Sequence, residues 1–221
     1  NMIEEDLLSY AIIEKDESIV EKLLTMKTTD LKRKLKNRDS YLHIAIDGSE
    51  ITPIQKLLIG HPDIDINSQN VLSETPLTKA VINENIELVE LIVSHPEFDP
   101  ILSRLDHAFF LSIPHKNLSR FLLTVNSLDV NCHSVGSQNQ QFKRTPLMEA
   151  IKCNDIELAE LIINHHSFDP SKSKIKSCLF NSVISKNLNL FRFLLKMNGN
   201  EVNIKNAENI SLLGCAASIR N

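Results

Sequence analysis

The chain has 221 residues, 42% of them hydrophobic and 24% charged, with 24 basic and 28 acidic side chains for a net charge of −4. That composition excludes intrinsic disorder and gives no global pull toward nucleic acid or an anionic membrane, so any such binding has to be local. The four cysteines, Cys132, Cys153, Cys178 and Cys215, show no paired-ligand spacing, which argues for free thiols over a disulfide framework or a zinc site.

The stretch MIEEDLL is acidic where a secretory leader is basic and then apolar, and no apolar run approaches bilayer length. The expectation is an intracellular protein without membrane insertion, cytoplasmic, with the nucleus as a second compartment. In chain order, Leu8 and Ala11 open a short helix, Asp16 marks a turn, and Ile19-Val20 to Leu23-Leu24 forms a second helix with one buried stripe. The basic run from Leu31 to Arg38 follows. Leu42 with Ala45 then repeats the first helix and Ile54 to Leu58 the second, with Asp65-Ile66-Asn67 as a turn beyond it.

The pattern returns as Leu77 with Ala80 and Ile86 to Ile92, closed by Asp99-Pro100, and then as Phe109 with Ser112 and Leu118 to Leu123, closed by Asp129-Val130-Asn131. It returns again as Leu147 with Ala150 and Ile156 to Ile162, closed by Asp169-Pro170, and as Leu179 with Ser182 and Leu188 to Leu194, closed by Glu201-Val202-Asn203. Leu213 with Ala216 starts a seventh copy. The marker residues are spaced 34, 35, 32, 38, 32 and 34 apart, and a small residue stands three positions after each. A side chain that small lets neighbouring helices approach closely. Residues 74–100 and 144–170 agree at 14 of 27 positions, mostly apolar, small or turn-forming. A single helix-turn-helix unit cannot bury its own apolar faces, whereas a stack of them shares a core.

These residues resemble the ankyrin repeats, whose T-P-L-H-x-A signature is matched by Thr75-Pro76-Leu77 with Ala80, Thr145-Pro146-Leu147 with Ala150, and Leu42-His43 with Ala45. The resemblance implies an all-α solenoid of stacked helix-turn-helix units with projecting hairpin-like loops. The expected single domain spans 2–219, in units of approximately 2–36, 37–70, 71–102, 103–139, 140–172, 173–206 and an incomplete 207–219. Departures are expected to matter. With only five glycines, Asn, Asp, Ser or Lys must take the turns, and between the helices Asp16, Asn85, Asn117, Asn154-Asp155 and Asn187 fit caps or left-handed turns. The signature His survives only as His43, so its helix-to-loop bond is expected to be weaker or absent in most units. Pro100 and Pro170 each remove a backbone donor and argue against regular hairpins there. Pro114 marks the fourth unit as the most degenerate.

Several groups invite a chemical reading. His61, His95 and His165 fall at one repeat position just after second helices, which fits capping better than metal ligation. The run Lys32-Arg33-Lys34-Leu35-Lys36-Asn37-Arg38 is either a solvated loop or a contact for an acidic partner, nucleic acid or an import receptor. The insertion from Ser134 to Phe142 is either a tolerated surface loop or a partner contact. No phosphate loop, HExxH or GxSxG occurs, so no catalytic, cofactor or metal residue is assigned and no small-molecule substrate is expected.

What the resemblance implies is binding of another protein through loop tips and the concave face of the first helices, with no catalysis. Carried over by phase, the contact positions are Val71, Leu72, Glu74, Ile82, Asn83, Gln141, Phe142, Arg144, Lys152, Cys153, Lys176 and Ile184. Among them Val71, Leu72, Phe142 and Ile184 are apolar where solubility favours polar residues, and form the expected anchoring patch. A monomer is expected, and nucleic acid is not an expected partner. The alternative is a targeting or regulatory arm of a longer enzyme or channel. It is motivated by a seventh first helix after which the sequence holds no second.

Overall fold

The structure, a computed structural model, describes residues 7–26, 29–134, 143–199 and 201–219. Short helices follow one another in pairs. The first member of each pair is α1 (Leu7–Ile13), α3 (Tyr41–Ala45), α5 (Pro76–Ile82), α7 (Leu105–Ser112), α9 (Pro146–Lys152), α11 (Ile175–Ile184) or α13 (Leu212–Ser218). The second is α2 (Glu17–Leu24), α4 (Pro53–Ile59), α6 (Ile86–Val93), α8 (Lys116–Leu122), α10 (Ile156–Asn164) or α12 (Leu188–Met197). Among the described residues the only β-bridge joins Lys205 to Ser211, just ahead of α13.

The chain divides into two compact units, Asn1–Ser112 and Ile113–Asn221. In the first, α1 packs on α2, α3 on α4 and α5 on α6, while α1, α3, α5 and α7 form one row and α2, α4 and α6 another. In the second, α9 packs on α10 and α11 on α12, with α9, α11 and α13 in one row and α8 beside α10 in the other. Each unit has its core between its two rows.

Packing follows the period. The marker residues Leu8, Leu42, Leu77, Phe109, Leu147 and Leu179 are buried, as are the small residues Ala11, Ala45, Ala80, Ser112, Ala150 and Ser182. The two serines are tolerated because each hydroxyl donates back to the carbonyl three residues earlier, Ser112 to Phe109 and Ser182 to Leu179, both at 2.7 Å. The seventh pair differs: Leu213 is 81% exposed while its neighbour Leu212 is buried. Helix α13 meets α11 on its Leu212 side, and Leu213 and Ala216 line an open apolar hollow.

The interhelical turns compensate for missing glycine. Asp16, Asn85, Asp155 and Asn187 cap α2, α6, α10 and α12, each accepting the N–H three residues on, at 3.0 to 3.1 Å. The residue before each cap, Lys15, Glu84, Asn154 or Lys186, takes the left-handed conformation at φ 55° to 59°. Asn117 does not cap. Pro114, with φ fixed near −65°, stands in that turn, and the chain is already helical at Lys116 behind His115, which makes no side-chain cap bond. A left-handed side chain costs about 1–2 kcal/mol, partly offset because glycine is freer when unfolded. Lys186→Gly is therefore expected to stabilise by about 0.5–1 kcal/mol, and Asn154→Gly by less, since Asn tolerates this region. Parallel thermal melts of the two variants check the ranking.

Loops leading into first helices close by one recurring bond, the N–H of the first residue to the carbonyl of the last: Leu35 to Asp39, Asn70 to Glu74, Ser134 to Arg144 and Asn206 to Ile210, at 2.8 to 3.0 Å. After Asp99-Pro100 and Asp169-Pro170 the chain makes a tight turn instead, in which Asp99 Oδ1 takes the N–H groups of Ile101 and Leu102 and Asp169 Oδ1 that of Ser171. The missing proline donor is thus replaced by an aspartate-centred turn.

Candidate interaction surfaces

Successive repeats are joined by asparagines. Asn67 Nδ2 donates to the Glu97 carbonyl at 2.6 Å, and its Oδ1 accepts the Asp99 N–H at 2.9 Å and the Ser103 hydroxyl at 2.5 Å. Asn131 makes the same set with the Ser167 carbonyl, the Asp169 N–H and the Ser173 hydroxyl, at 2.6, 2.8 and 3.3 Å. His43 adds another link. Its Nδ1 accepts the Ser40 N–H at 3.2 Å, which places the ring proton on Nε2, and Nε2 donates to the Glu74 carbonyl at 3.0 Å.

Where threonine replaces that histidine, at 78, a link to the next loop is kept by another residue, while the equivalent contact of Thr145 with the Ser173 carbonyl is longer, at 3.5 Å. Thr78 Oγ1 accepts the Thr75 N–H at 2.8 Å, and Thr75 Oγ1 donates to the Ser103 carbonyl at 2.9 Å. The single Thr75 hydroxyl, itself accepting the Thr78 N–H at 3.2 Å, makes the link that the ring makes one repeat earlier. His61, His95 and His165 each accept at Nδ1 the N–H two residues on, from Asp63, Glu97 and Ser167, so all three cap the turn after a second helix. Among the described residues no group of three or more His, Cys, Asp or Glu could hold a metal ion, and no helix is long and apolar enough to cross a membrane.

This frame leaves the phase-derived contact positions in distinct places. In the first unit Val71 and Leu72 sit at a loop tip, 57% and 73% exposed. Glu74 is turned inward, its carboxylate accepting the Asn70 amide at 3.0 Å and its carbonyl the His43 proton. Ile82 is exposed at the end of α5, and Asn83 caps that helix and reaches the Ile46 carbonyl at 3.5 Å.

In the second unit Arg144, Lys152 and Ile184 come together around a hollow of about 340 Å³ that also involves Met148, Asn181 and Ser185. At its base lies the nearly buried Glu149, paired with Arg144 at 2.7 Å and Lys152 at 3.0 Å. Cys153 is exposed beside it, its thiol held above the usual value by partial burial and then by the Glu149 charge. That leaves it thiol rather than thiolate at neutral pH. Lys176 faces Glu201 at 3.8 Å. Gln141 and Phe142, like the insertion beyond Ser134, lie outside the described residues.

Sequence reasoning missed two exposed apolar residues, Ile101 and Leu102, 84% and 54% exposed on the turn after Pro100. The signal was present: an apolar pair directly after Asp-Pro has no place in the buried stripe of either helix. It also missed a hollow of about 1050 Å³ lined by Val183, Leu188, Phe191, Val202, Leu213 and Ile219 among others.

Burial pushes His43, His107, His133 and His165 below the ordinary value of 6.5. The unfolded chain then takes up protons near pH 6.5 that the folded chain resists, so the stability these groups contribute is intact above about 6.5 and lost as pH falls. Melting temperature is expected to drop between pH 7.5 and 5.5. His43→Thr, which copies the residue at 78, is expected to remove part of that drop.

Sequence models of the ankyrin repeats (3 copies) match residues 8–103 and 113–206. No curated protein matches the sequence. Among solved structures, the ankyrin repeat domain of Bcl-3, described as a unique member of the IkappaB protein family, superimposes with a TM-score of 0.70 at 18% identity, covering 98% of this chain and 99% of that one. The human ASB11 ankyrin repeat domain superimposes with a TM-score of 0.64 at 17% identity, covering 96% of this chain and 92% of that one. At such identities the likeness is one of fold.

Proposed function

The chain belongs to the ankyrin repeat family, and on that premise we propose that it is a non-catalytic scaffold that binds another protein through its loop tips and the exposed face of its first helices. The reading covers residues 2–219 as one functional array, monomeric, acting in the cytoplasm or nucleus, with no nucleic acid or small molecule as ligand.

The observation that supports it is the split between frame and surface. Caps, asparagine bridges and small residues are consumed by folding, while Val71, Leu72, Ile82 and Ile184 are exposed apolar side chains that the frame does not use. Side chains of this kind, on rigid supports, are the usual anchors of protein interfaces. A photo-reactive residue placed at Leu72 or Ile184 is expected to crosslink a protein in cell extract, and one at Glu90 on the outer face of α6 is not. Equal labelling from all three positions, or none from the first two, would sink the assignment.

A second reading, a regulatory or targeting arm of a longer enzyme or channel, draws on the large apolar hollow beside α13. Val183 there is half-buried, whereas its repeat equivalents Val81 and Ile151 are buried. Sequencing the native transcript for an adjoining catalytic segment tests it.

A further inference from the structure

We propose that three neighbouring loop tips of the first unit form a site for an extended peptide segment carrying acidic residues beside a pair of apolar side chains. This rests on the protein-binding reading above and specifies the partner's chemistry.

The loops are 32–38, 70–74 and 99–104, tied side by side. The Val71 N–H donates to the Asn37 carbonyl at 2.8 Å, and the Asn70 amide to Asp39 at 3.0 Å. Gln69 Nε2 donates to the Leu102 carbonyl at 3.1 Å, and the Arg104 guanidinium to the Ser73 carbonyl. Two of the tips present Val71, Leu72, Ile101 and Leu102 to solvent. They are held rather than loose. Asn70 Oδ1 takes the N–H groups of Leu72 and Glu74 at 3.0 and 2.9 Å, and Asp99 Oδ1 those of Ile101 and Leu102 at 2.8 Å. A partner therefore meets a preformed surface and pays little ordering entropy on this side.

The second unit supplies an internal control. Its Asn206 loop repeats the closing bond and the side-chain acceptor of the Asn70 loop, with Asn206 Oδ1 taking the N–H groups of Glu208 and Ile210 at 3.1 and 2.9 Å. Yet it presents Ala207 and Glu208 where the first unit presents Val71 and Leu72. Its Asp169-Pro170 turn repeats the Asp99-Pro100 turn but presents Ser171 and Lys172 in place of Ile101 and Leu102. Folding of these loops does not require apolar tips. Among these described loop tips, apolar pairs stand on adjacent loops of the first unit and not at the matching places of the second.

Charge completes the pattern. Lys32, Arg33, Lys34, Lys36 and Arg38 are all exposed along the third loop. Lys34 is paired with Asp65 at 2.7 Å, while the carboxylates of Asp39, Glu74 and Asp99 accept from the Asn70 amide or from backbone N–H groups of the loops and so are directed at the frame rather than at the tips. The loop from 32 to 38 carries no acidic residue, and its exposed Lys32, Arg33, Lys36 and Arg38 beside the apolar tips favour an acidic flank on the partner. With neighbouring helices about 8–10 Å apart, three tips span about 16–20 Å, which an extended chain rising about 3.3 Å per residue covers in about five or six residues.

The test is fluorescence anisotropy on the whole chain. The probe is a labelled ten-residue peptide with three acidic residues, a Gly-Ser spacer and two leucines. Saturable binding is expected, at least about tenfold weaker when the leucines become serines, when salt is raised, or in the protein variants Leu72→Glu with Ile101→Ser and Lys36→Glu with Arg38→Glu. Both apolar-tip substitutions copy residue types the second unit already carries at these places, and melting curves confirm the fold; Leu72→Ser with Ile101→Thr is the milder alternative. Wild-type protein that fails to bind the peptide, variants that bind as wild type does, or a ten-nucleotide RNA that outcompetes the peptide overturn the proposal. If any of these occurs while crosslinking from Leu72 still captures a protein, the partner chemistry is wrong and the scaffold reading stands. If crosslinking from both Leu72 and Ile184 also fails, both fall.

Discussion

Asn131→Ala is expected to lower the melting temperature by about 4–16 °C, corresponding to about 2–4 kcal/mol. The side chain is buried and serves both directions at once: its amide donates to the Ser167 carbonyl and to Asp129 Oδ1, both at 2.6 Å, while its oxygen accepts the Asp169 N–H and the Ser173 hydroxyl. Alanine strands the carbonyl and the N–H together, and a partly buried group left without its partner costs about 1–3 kcal/mol. Asn131→Asp is the sharper variant. It keeps the acceptor for Asp169 but loses both donors and sets a carboxylate against Asp129, so it is expected to be nearly as damaging. Asn67→Ala, in the matching network of the first unit, is expected to behave alike. A change below 1 °C in all three would mean that the bridges are incidental to stability.

Ala150→Leu is expected to destabilise by about 1–3 kcal/mol. Ala150 is fully buried on the face of α9, where the small-residue period brings helices together, and three added carbons must push α9 from its neighbours or force side chains off their rotamers. Ala150→Ser is the control. The chain itself places serine at this position in Ser112 and Ser182, each satisfied by a carbonyl three residues back, so that variant is expected to cost far less. Denaturant unfolding of the pair checks it: equal losses would mean that volume is not what the position selects.

What the sequence made legible was the period and its chemistry. The small residue three places after each marker announced close helix contact, and Asp16, Asn85, Asp155 and Asn187 announced caps, because both requirements are local and each admits few residue types. The His43 position was harder to read. A hydrogen bond from helix to loop can be made by an imidazole or by the hydroxyl of the capping threonine, so Thr75 carries a link whose usual maker, a histidine at 78, is absent. Asn117 misled for the opposite reason: a capping residue type in phase is not a cap once Pro114 has already turned the chain. The surfaces were the least legible. Val71 and Leu72 could be found by phase, but that Arg144 and Lys152 converge on a nearly buried Glu149, and that Ile101 and Leu102 stand out beside Leu72, depends on which loops lie next to one another.

The closing bond of the loops has a wider consequence. Five residues from Asn70 to Glu74 and eleven from Ser134 to Arg144 are shut by the same contact between first N–H and last carbonyl. Extending a flexible loop from five to eleven residues costs only about 0.7 kcal/mol in closure entropy, less than one lost asparagine bridge. The clasp therefore insulates the helices from whatever is spliced between its ends, and each loop can gain or lose a foreign segment as an independent cassette. A protein built this way can acquire a new ligand by insertion, without revising the residues that make it fold.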